Sequence, residues 1–282
     1  MDLPQPDGPF QWVHVGGADA LVCQPLECLA RHLFTTRRWG MGPGAPAGED
    51  AWTAVAQAMG VAPRRIVRAR QVHGATVVVR RRGSLPAEEL PEGDIIVSDD
   101  PDLALAIQTA DCVALLLFDR LRGAVAAAHA GWRGLAAGVP RAAVAALAHE
   151  FGSRPIDLAA AAGPAIGPCC YEVGDEVRER LEQAGFGHRQ LARWFHPGPR
   201  PAAANRAMSG AGAHRRREHW FLDIWTATHD QLEAAGVPPD RIFISRLCTA
   251  CHPDLLCSYR RDGTGCGRMV GAIRARAGEN EG

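Results

Sequence analysis

The chain contains no lysine: all 31 of its basic residues are arginine. That excludes chemistry requiring a primary amine, namely a Schiff-base lysine or the phosphate-gripping lysine of a P-loop. An anion held by a side-chain cation must therefore meet Arg or His. Arg suits phosphate because its planar fork donates two hydrogen bonds at once. Charge of either sign is not in surplus, since 31 acidic residues balance the 31 basic ones. General binders of nucleic acid or of anionic membranes carry a basic excess, so neither partner is expected.

Long hydrophobic runs are also missing, and none reaches the roughly 18 uncharged apolar residues of a membrane-spanning helix. The opening segment, MDLPQPDGPFQWVHVGG, has neither the basic nor the apolar region of an export signal. Nine cysteines without such a signal point to the cytoplasm, where they serve as thiols or metal ligands before disulfides. No internal repeat and no clear linker divides the sequence, so one domain over residues 1–282 is expected. A hydrophobic content of 47% supplies a sizeable core.

What is present is a succession of short apolar runs broken by Gly, Ala, Pro and Asp. Strands are expected at residues 10–15, 31–36, 65–71, 76–80, 94–98, 103–108, 113–118, 124–128, 158–162, 242–247 and 269–274. Helical spacing covers residues 49–59, 134–151, 171–184 and 221–235, with Pro140 marking a first turn or a kink. Residues 186–219, rich in Pro, Gly and Ala, read as irregular. Helices and strands are interspersed without strict βαβ alternation, and strands crowd between 65 and 128. This indicates an α+β fold or a layered α/β sandwich.

Three unusual segments, RQVHGATVV, QTADCVALLLFD and AAAHAGWRG, place His73, Cys112 and His129 at breaks between apolar runs, within 57 residues. One thiolate and two imidazoles make a three-ligand metal site with a position left open for chemistry. Each residue alone has an ordinary explanation: a hydrogen-bonded structural His, or a small buried Cys. Only convergence in space would make them a site. Without metal, Cys112 and His129 would read as nucleophile and base of a thiol hydrolase. Asp111 can orient a ligand imidazole, or simply end a strand. Arg133 can clamp phosphate or ribose, and Trp132 can pack on a base or in the core.

A second group lies in CTACHPDLLCSYRRDGTGCGR. Cys248, Cys251, Cys257 and Cys266 offer four thiols, but only the first pair has the C-x2-C spacing of a zinc ribbon. Arg260 and Arg261 stand as anion binders. GPAIGPCCYEVG (163–174) reads as a Gly/Pro loop entering a helix, whose N-terminus can face an anion.

FTTR (34–37), RQVHG (70–74), QTADC (108–112), AAAHAGWRG (126–134), GPAIGPCCYEVG, FLDIW (221–225), CTAC (248–251) and SYRRDGTG (258–265) occur in one order. Together they resemble the bacterial laccase-domain family, long described as multi-copper polyphenol oxidases and now as purine nucleoside phosphorylases. The resemblance implies a single-domain α/β/β/α sandwich with mixed sheets and a core at about 30–275. It implies a catalytic zinc on His73, Cys112 and His129. It also implies phosphorolysis of adenosine, inosine, guanosine and methylthioadenosine, together with adenosine deamination. Purine nucleosides and phosphate are then the partners. Asp111, Arg133 and Arg260 would carry catalysis, while Arg37, Gln71 and Arg261 would bind substrate.

The family's history offers a copper-dependent polyphenol oxidase as the alternative. However, a multi-copper enzyme needs many His ligands, typically in H-x-H pairs, and this chain has 11 His and no such pair. A cell-wall precursor quality-control factor is the non-enzymatic alternative. The sequence departs from the family at Arg38-Trp39-Gly40, across residues 41–50, at Ala114 where Pro is common, and after FLDIW. These departures touch the entrance and its selectivity and leave the metal triad intact.

Overall fold

The computed structural model describes residues 3–42, 48–84, 89–205 and 219–275. Two six-stranded sheets form its centre. The first runs β1 (Phe10–Val15), β2 (Ala18–Cys23), β3 (Ala30–Thr35), β15 (Met269–Ala275), β7 (Ala104–Thr109), β4 (Ile66–Val67). The second runs β14 (Ile242–Ile244), β10 (Leu158–Ala162), β8 (Val113–Asp119), β9 (Val125–Ala130), β6 (Ile95–Ser98), β5 (Val77–Arg80). A small third sheet pairs β11 (Glu172–Gly174), β13 (His219–Leu222) and β12 (Phe195–His196). Both large sheets are mixed: β4 with β7, β5 with β6 and β10 with β14 are parallel, and the other pairs are antiparallel.

The helices are α1 (Gln24–Glu27), α2 (Gly48–Met59), α3 (Trp132–Ala136), α4 (Val139–Phe151), α5 (Asp175–Gln183), α6 (His188–Trp194), α7 (Ile224–Ala234) and α8 (Tyr259–Asp262). Among the described residues, no helix is long and apolar enough to cross a membrane.

Side chains alternate across a strand, so a strand covered on both faces must be apolar throughout. β8 shows this: Leu115 and Leu117 join a core with α4 and α7, while Ala114, Leu116 and Phe118 face the other large sheet. In the first sheet, Leu105 and Ile107 enter that shared inter-sheet core. Ala104 and Ala106 turn outward to Val55 and Met59 of α2. The order of layers is therefore α2, first sheet, second sheet, then α3 to α7. Close approach of the two sheets requires small residues. A Cβ on Gly271 would lie 2.7 Å from that of Ala114, and one on Gly163 would lie 2.3 Å from Phe34.

Several expected elements differ. The single helix at 134–151 is two, α3 and α4, separated at Gly138 (φ 75°), with Pro140 in the first turn of α4. The helix at 171–184 begins only at Asp175, because residues 172–174 first pair with β13. The 221–235 helix likewise follows a strand; Asp223 caps α7 by accepting from the Thr226 amide at 2.9 Å. Residues 65–71 form only the two-residue β4, and β14 is shorter than 242–247. Within 186–219 lies α6, anchored by fully buried Trp194, whose Nε1 donates to Asp230 at 2.8 Å. Residues 206–218, including the basic run 214–217, lie outside the described residues.

Candidate active site

His73, Cys112 and His129 converge. Their ligand atoms lie within 4.8 Å of one another, and the two imidazole rings stand 4.8 Å apart at 73°. His129 and Cys112 are brought together by strand register. β8 pairs Ala114 with His129 and Val113 with Ala130, and Cys112 lies one residue before β8. Immediately before it, Asp111 takes a left-handed backbone (φ 85°) that ends β7 and redirects the chain. His73 arrives from the loop between β4 and β5 and is itself left-handed (φ 61°). Such conformations cost non-glycine residues about 1–3 kcal/mol and persist where their surroundings over-determine them.

Asp94 does this for His73. Its wholly buried carboxylate accepts the amides of Val72 at 3.1 Å, His73 at 2.9 Å and Gly74 at 2.8 Å. Its Oδ1 also lies 2.8 Å from His129 Nδ1. An ionised carboxylate can only accept, so Nδ1 carries the proton and Nε2 is presented as a ligand atom. Asp94 therefore positions two of the three donors. The part assigned from sequence to Asp111, orienting a ligand imidazole, falls to Asp94. Asp111 instead accepts from Thr249 Oγ1 at 2.5 Å and from the Arg260 amide at 2.6 Å.

The donor set suits a single metal ion. A Cβ on Gly131 would sit 2.6 Å from Cys112 Sγ and 3.6 Å from His73 Cδ2, so glycine leaves open the space beside the donors. Burial would raise the Cys112 thiol, but His129 and His73 outweigh it and bring it from 9.0 down to about 6. Burial would likewise lower His129, but the Cys112 sulfur and Asp94 prevail and lift it from 6.5 to about 9. Burial also opposes ionisation of Asp94. Its hydrogen bonds to His129 and to the Gly74 and Val72 amides nevertheless hold it below the usual carboxylate range. Without metal the site is thus a thiolate–imidazolium pair, and an ion would take the place of the His129 proton on Nε2.

The three donors lie in a cleft of about 820 Å³, within the range of small-molecule sites. Gln71, Asp111, Arg133 and Arg260 also line it, joined by Trp132, Tyr171 and Tyr259. Gln71 holds its own loop to β7: its Nε2 donates to Gln108 O at 2.7 Å, and its Oε1 accepts the Gln108 amide at 2.9 Å. The Arg133 guanidinium lies 4.3 Å over the Trp132 ring, and that of Arg260 lies 5.2 Å over Tyr171.

Arg37 and Arg261 are not among the cleft-lining residues. Arg37 donates to Pro253 O and stands 3.8 Å from Asp262. Arg261 pairs with Asp262 at 2.7 Å and donates to the carbonyls of Thr249 and Leu256, both at 2.9 Å. Its side chain is only 13% exposed, which suits a brace. Burial raises the Tyr171 hydroxyl well above its ordinary value, leaving a neutral phenol at the cleft.

Asp94 and Tyr171 went unremarked in the sequence. Asp94 announced itself only as the residue opening the apolar run IIV, after Gly93. Cys248 and Cys251 do cluster, but with Cys169 and Cys170 rather than with Cys257 and Cys266.

Residues 46–276 match the family model described as multi-copper polyphenol oxidoreductase laccase. Among curated relatives, a Streptomyces coelicolor protein named purine nucleoside phosphorylase SCO2081 is 38% identical over 86% of this chain and 94% of its own length. A protein from an unknown prokaryotic organism named adenosine deaminase RL5 is 32% identical, covering 79% of this chain and 80% of its own. Among solved structures, the Bacillus licheniformis hypothetical protein YfiH superposes with a TM-score of 0.78 at 26% identity, covering 96% of this chain and 98% of that one.

Proposed function

The chain belongs to the multi-copper polyphenol oxidoreductase laccase family, and from that premise we propose that it is a zinc-dependent purine nucleoside phosphorylase. Its substrates are adenosine, inosine and guanosine, with methylthioadenosine phosphorolysis and adenosine deamination as further reactions of the same cleft. The observation that carries this reading is the convergence of His73, Cys112 and His129, backed by Asp94, in a cleft lined by Arg133 and Arg260.

Phosphorolysis forms a bond from a phosphate oxygen to C1′ of the ribose and breaks the bond from C1′ to the purine nitrogen. The departing purine takes the electron pair and a proton. Held by the two imidazoles and the thiolate, zinc would supply a Lewis-acidic charge in the cleft. The chain's own residues do the rest. Arg133 and Arg260 are exposed forks of the cleft suited to phosphate, the more so in a chain without lysine, whereas Arg70, also exposed there, is paired with Glu92 at 2.5 Å. Their guanidinium planes are backed by aromatic rings, which limits their freedom before an anion arrives. Trp132, Tyr171 and Tyr259 supply aromatic surface for a purine. Asp111, by accepting the Arg260 amide, holds that arginine's segment to the metal-bearing strand end. Arg37, Gln71 and Arg261 support substrate binding by bracing the walls. A thiolate ligand suits a reducing compartment, the cytoplasm.

Deamination is the second reading of this site, favoured by the same donor set and by the name of one relative. Two His and one Cys also suit copper. Among the described residues, however, only one donor cluster combines His with Cys, and no Met lines its cleft. The test is metal analysis of purified protein beside an assay with adenosine and inosine, with and without phosphate, quantifying free base and ammonia. Base release that requires phosphate and zinc supports the phosphorylase reading. Ammonia without base supports the deaminase. Copper with phenol-dependent oxygen uptake defeats both.

A further inference from the structure

Outside the cleft, the structure gathers four sulfurs that the proposed reaction does not use. Cys169 and Cys170 come from the loop after β10, and Cys248 and Cys251 from the turn after β14. β10 and β14 are parallel neighbours, so both segments leave the second sheet at the same end. All four Sγ atoms lie within 4.8 Å of one another; Cys251 is 3.6 Å from Cys169 and 3.5 Å from Cys170. These separations far exceed the about 2 Å of a disulfide. They are close to the about 3.7 Å between sulfurs arranged tetrahedrally around zinc at 2.3 Å. Cys169, Cys170 and Cys248 are buried, and Cys251 is partly so.

We propose that Cys169, Cys170, Cys248 and Cys251 bind a second metal ion, a single structural zinc held by four thiolates. On binding, the thiols release their protons to solvent and no redox partner is needed. The surroundings fit an anionic centre. The Gly167 amide donates to Cys248 Sγ at 3.3 Å. The Arg261 guanidinium lies against the same turn, donating to Thr249 O and Ala250 O. Asn205 fixes the backbone there by accepting the Cys248 amide at 2.8 Å and donating to Arg246 O at 2.7 Å.

The role follows from what the two segments carry. Tyr171 follows Cys170, and Thr249 lies between Cys248 and Cys251 and binds Asp111. An ion on the four sulfurs would clamp the segment carrying Tyr171, which lines the cleft, to the segment carrying Thr249, which holds the cleft-lining Asp111, without facing substrate.

The decisive experiment uses full-length Cys112→Ala protein, in which the cleft site is broken and the four sulfurs are intact. About one zinc per chain should remain, against about two in the unaltered protein. Replacement by cobalt should give the intense visible bands of a tetrahedral thiolate centre. In the otherwise unaltered protein, Cys248→Ser/Cys251→Ser should lose one of the two ions. A metal-free Cys112→Ala protein whose four cysteines alkylate as thiols, or are found as disulfides, overturns the proposal. So does retention of both ions after Cys248→Ser/Cys251→Ser. If that double variant does not fold, the cobalt spectrum of Cys112→Ala decides alone.

Discussion

The molecule holds two sulfur-bearing donor sets, and they differ in nearly every physical respect. His73, Cys112 and His129 mix nitrogen with sulfur, offer three donors, and include one exposed ligand on a left-handed backbone. The four cysteines offer four like donors, three of them buried. Three ligands facing a cleft leave a coordination position for chemistry, whereas four closed around a point leave none. The contrast teaches that cysteine content alone does not locate an active site. What distinguishes the cleft-facing set is incompleteness, left-handed backbone and a buried carboxylate behind it.

The sharpest way to break this comparison is Cys112→Ala. It should abolish turnover while moving Tm by no more than about 4 °C, the shift of about 1 kcal/mol in a chain of this class. Retained turnover in Cys112→Ala protein that has lost the cleft ion would sink the metal mechanism; assay and thermal melt together decide. Asp94→Asn comes next. The amide cannot accept from three backbone amides and His129 as a carboxylate does, so affinity for zinc at the cleft should fall about 10–100-fold. Competition with a zinc chelator measures this, and an unchanged affinity would remove Asp94 from the site.

Arg260→Ala, with Arg133→Ala as its companion, should raise KM for phosphate about tenfold, or about 1.4 kcal/mol. KM for the nucleoside should change less. An equal rise in both would assign the arginines to ribose or base instead.

The smallest effect concerns reactivity. In metal-stripped protein, Cys112 should react with iodoacetamide with a midpoint near pH 6, because the thiolate attacks and its pKa is lowered to about 6. Cys169, pushed upward first by hydrogen bonding to Cys170, should lag across the same range. Mass spectrometry of the alkylated peptides resolves the two, and a Cys112 midpoint near 9 would contradict the thiolate–imidazolium pairing.

Much of this was legible in the sequence where local pattern and burial agree. The unbroken apolar run VALLLF reads as a strand covered on both faces, and it is one. The HAGWRG and TADC segments marked two strand ends that register then brings together. Failures came where a distant partner decides. Residues 172–174 are extended because β13 pairs with them, and nothing local to a charged helical pattern says so. Asp94 is an unremarkable acid until folding places three amides and an imidazole around it. Arg261 stood beside Arg260 in one motif, yet the turn of α8 points their side chains to different tasks. Pairing of cysteines across 78 residues, Cys170 with Cys248, cannot be read from spacing at all.

The carboxylate of Asp94 has a kinetic consequence. The amides of residues 72–74 already have their acceptor in the chain itself, so the loop bearing His73 is ordered when the protein folds. Uptake of the proposed ion would then require loss of the His129 proton and of waters, not closure of a loop. Those three amides should resist hydrogen exchange equally with and without the ion, and the empty and loaded proteins should share one backbone. Exchange of one metal for another at the proposed site would thereby be decoupled from unfolding.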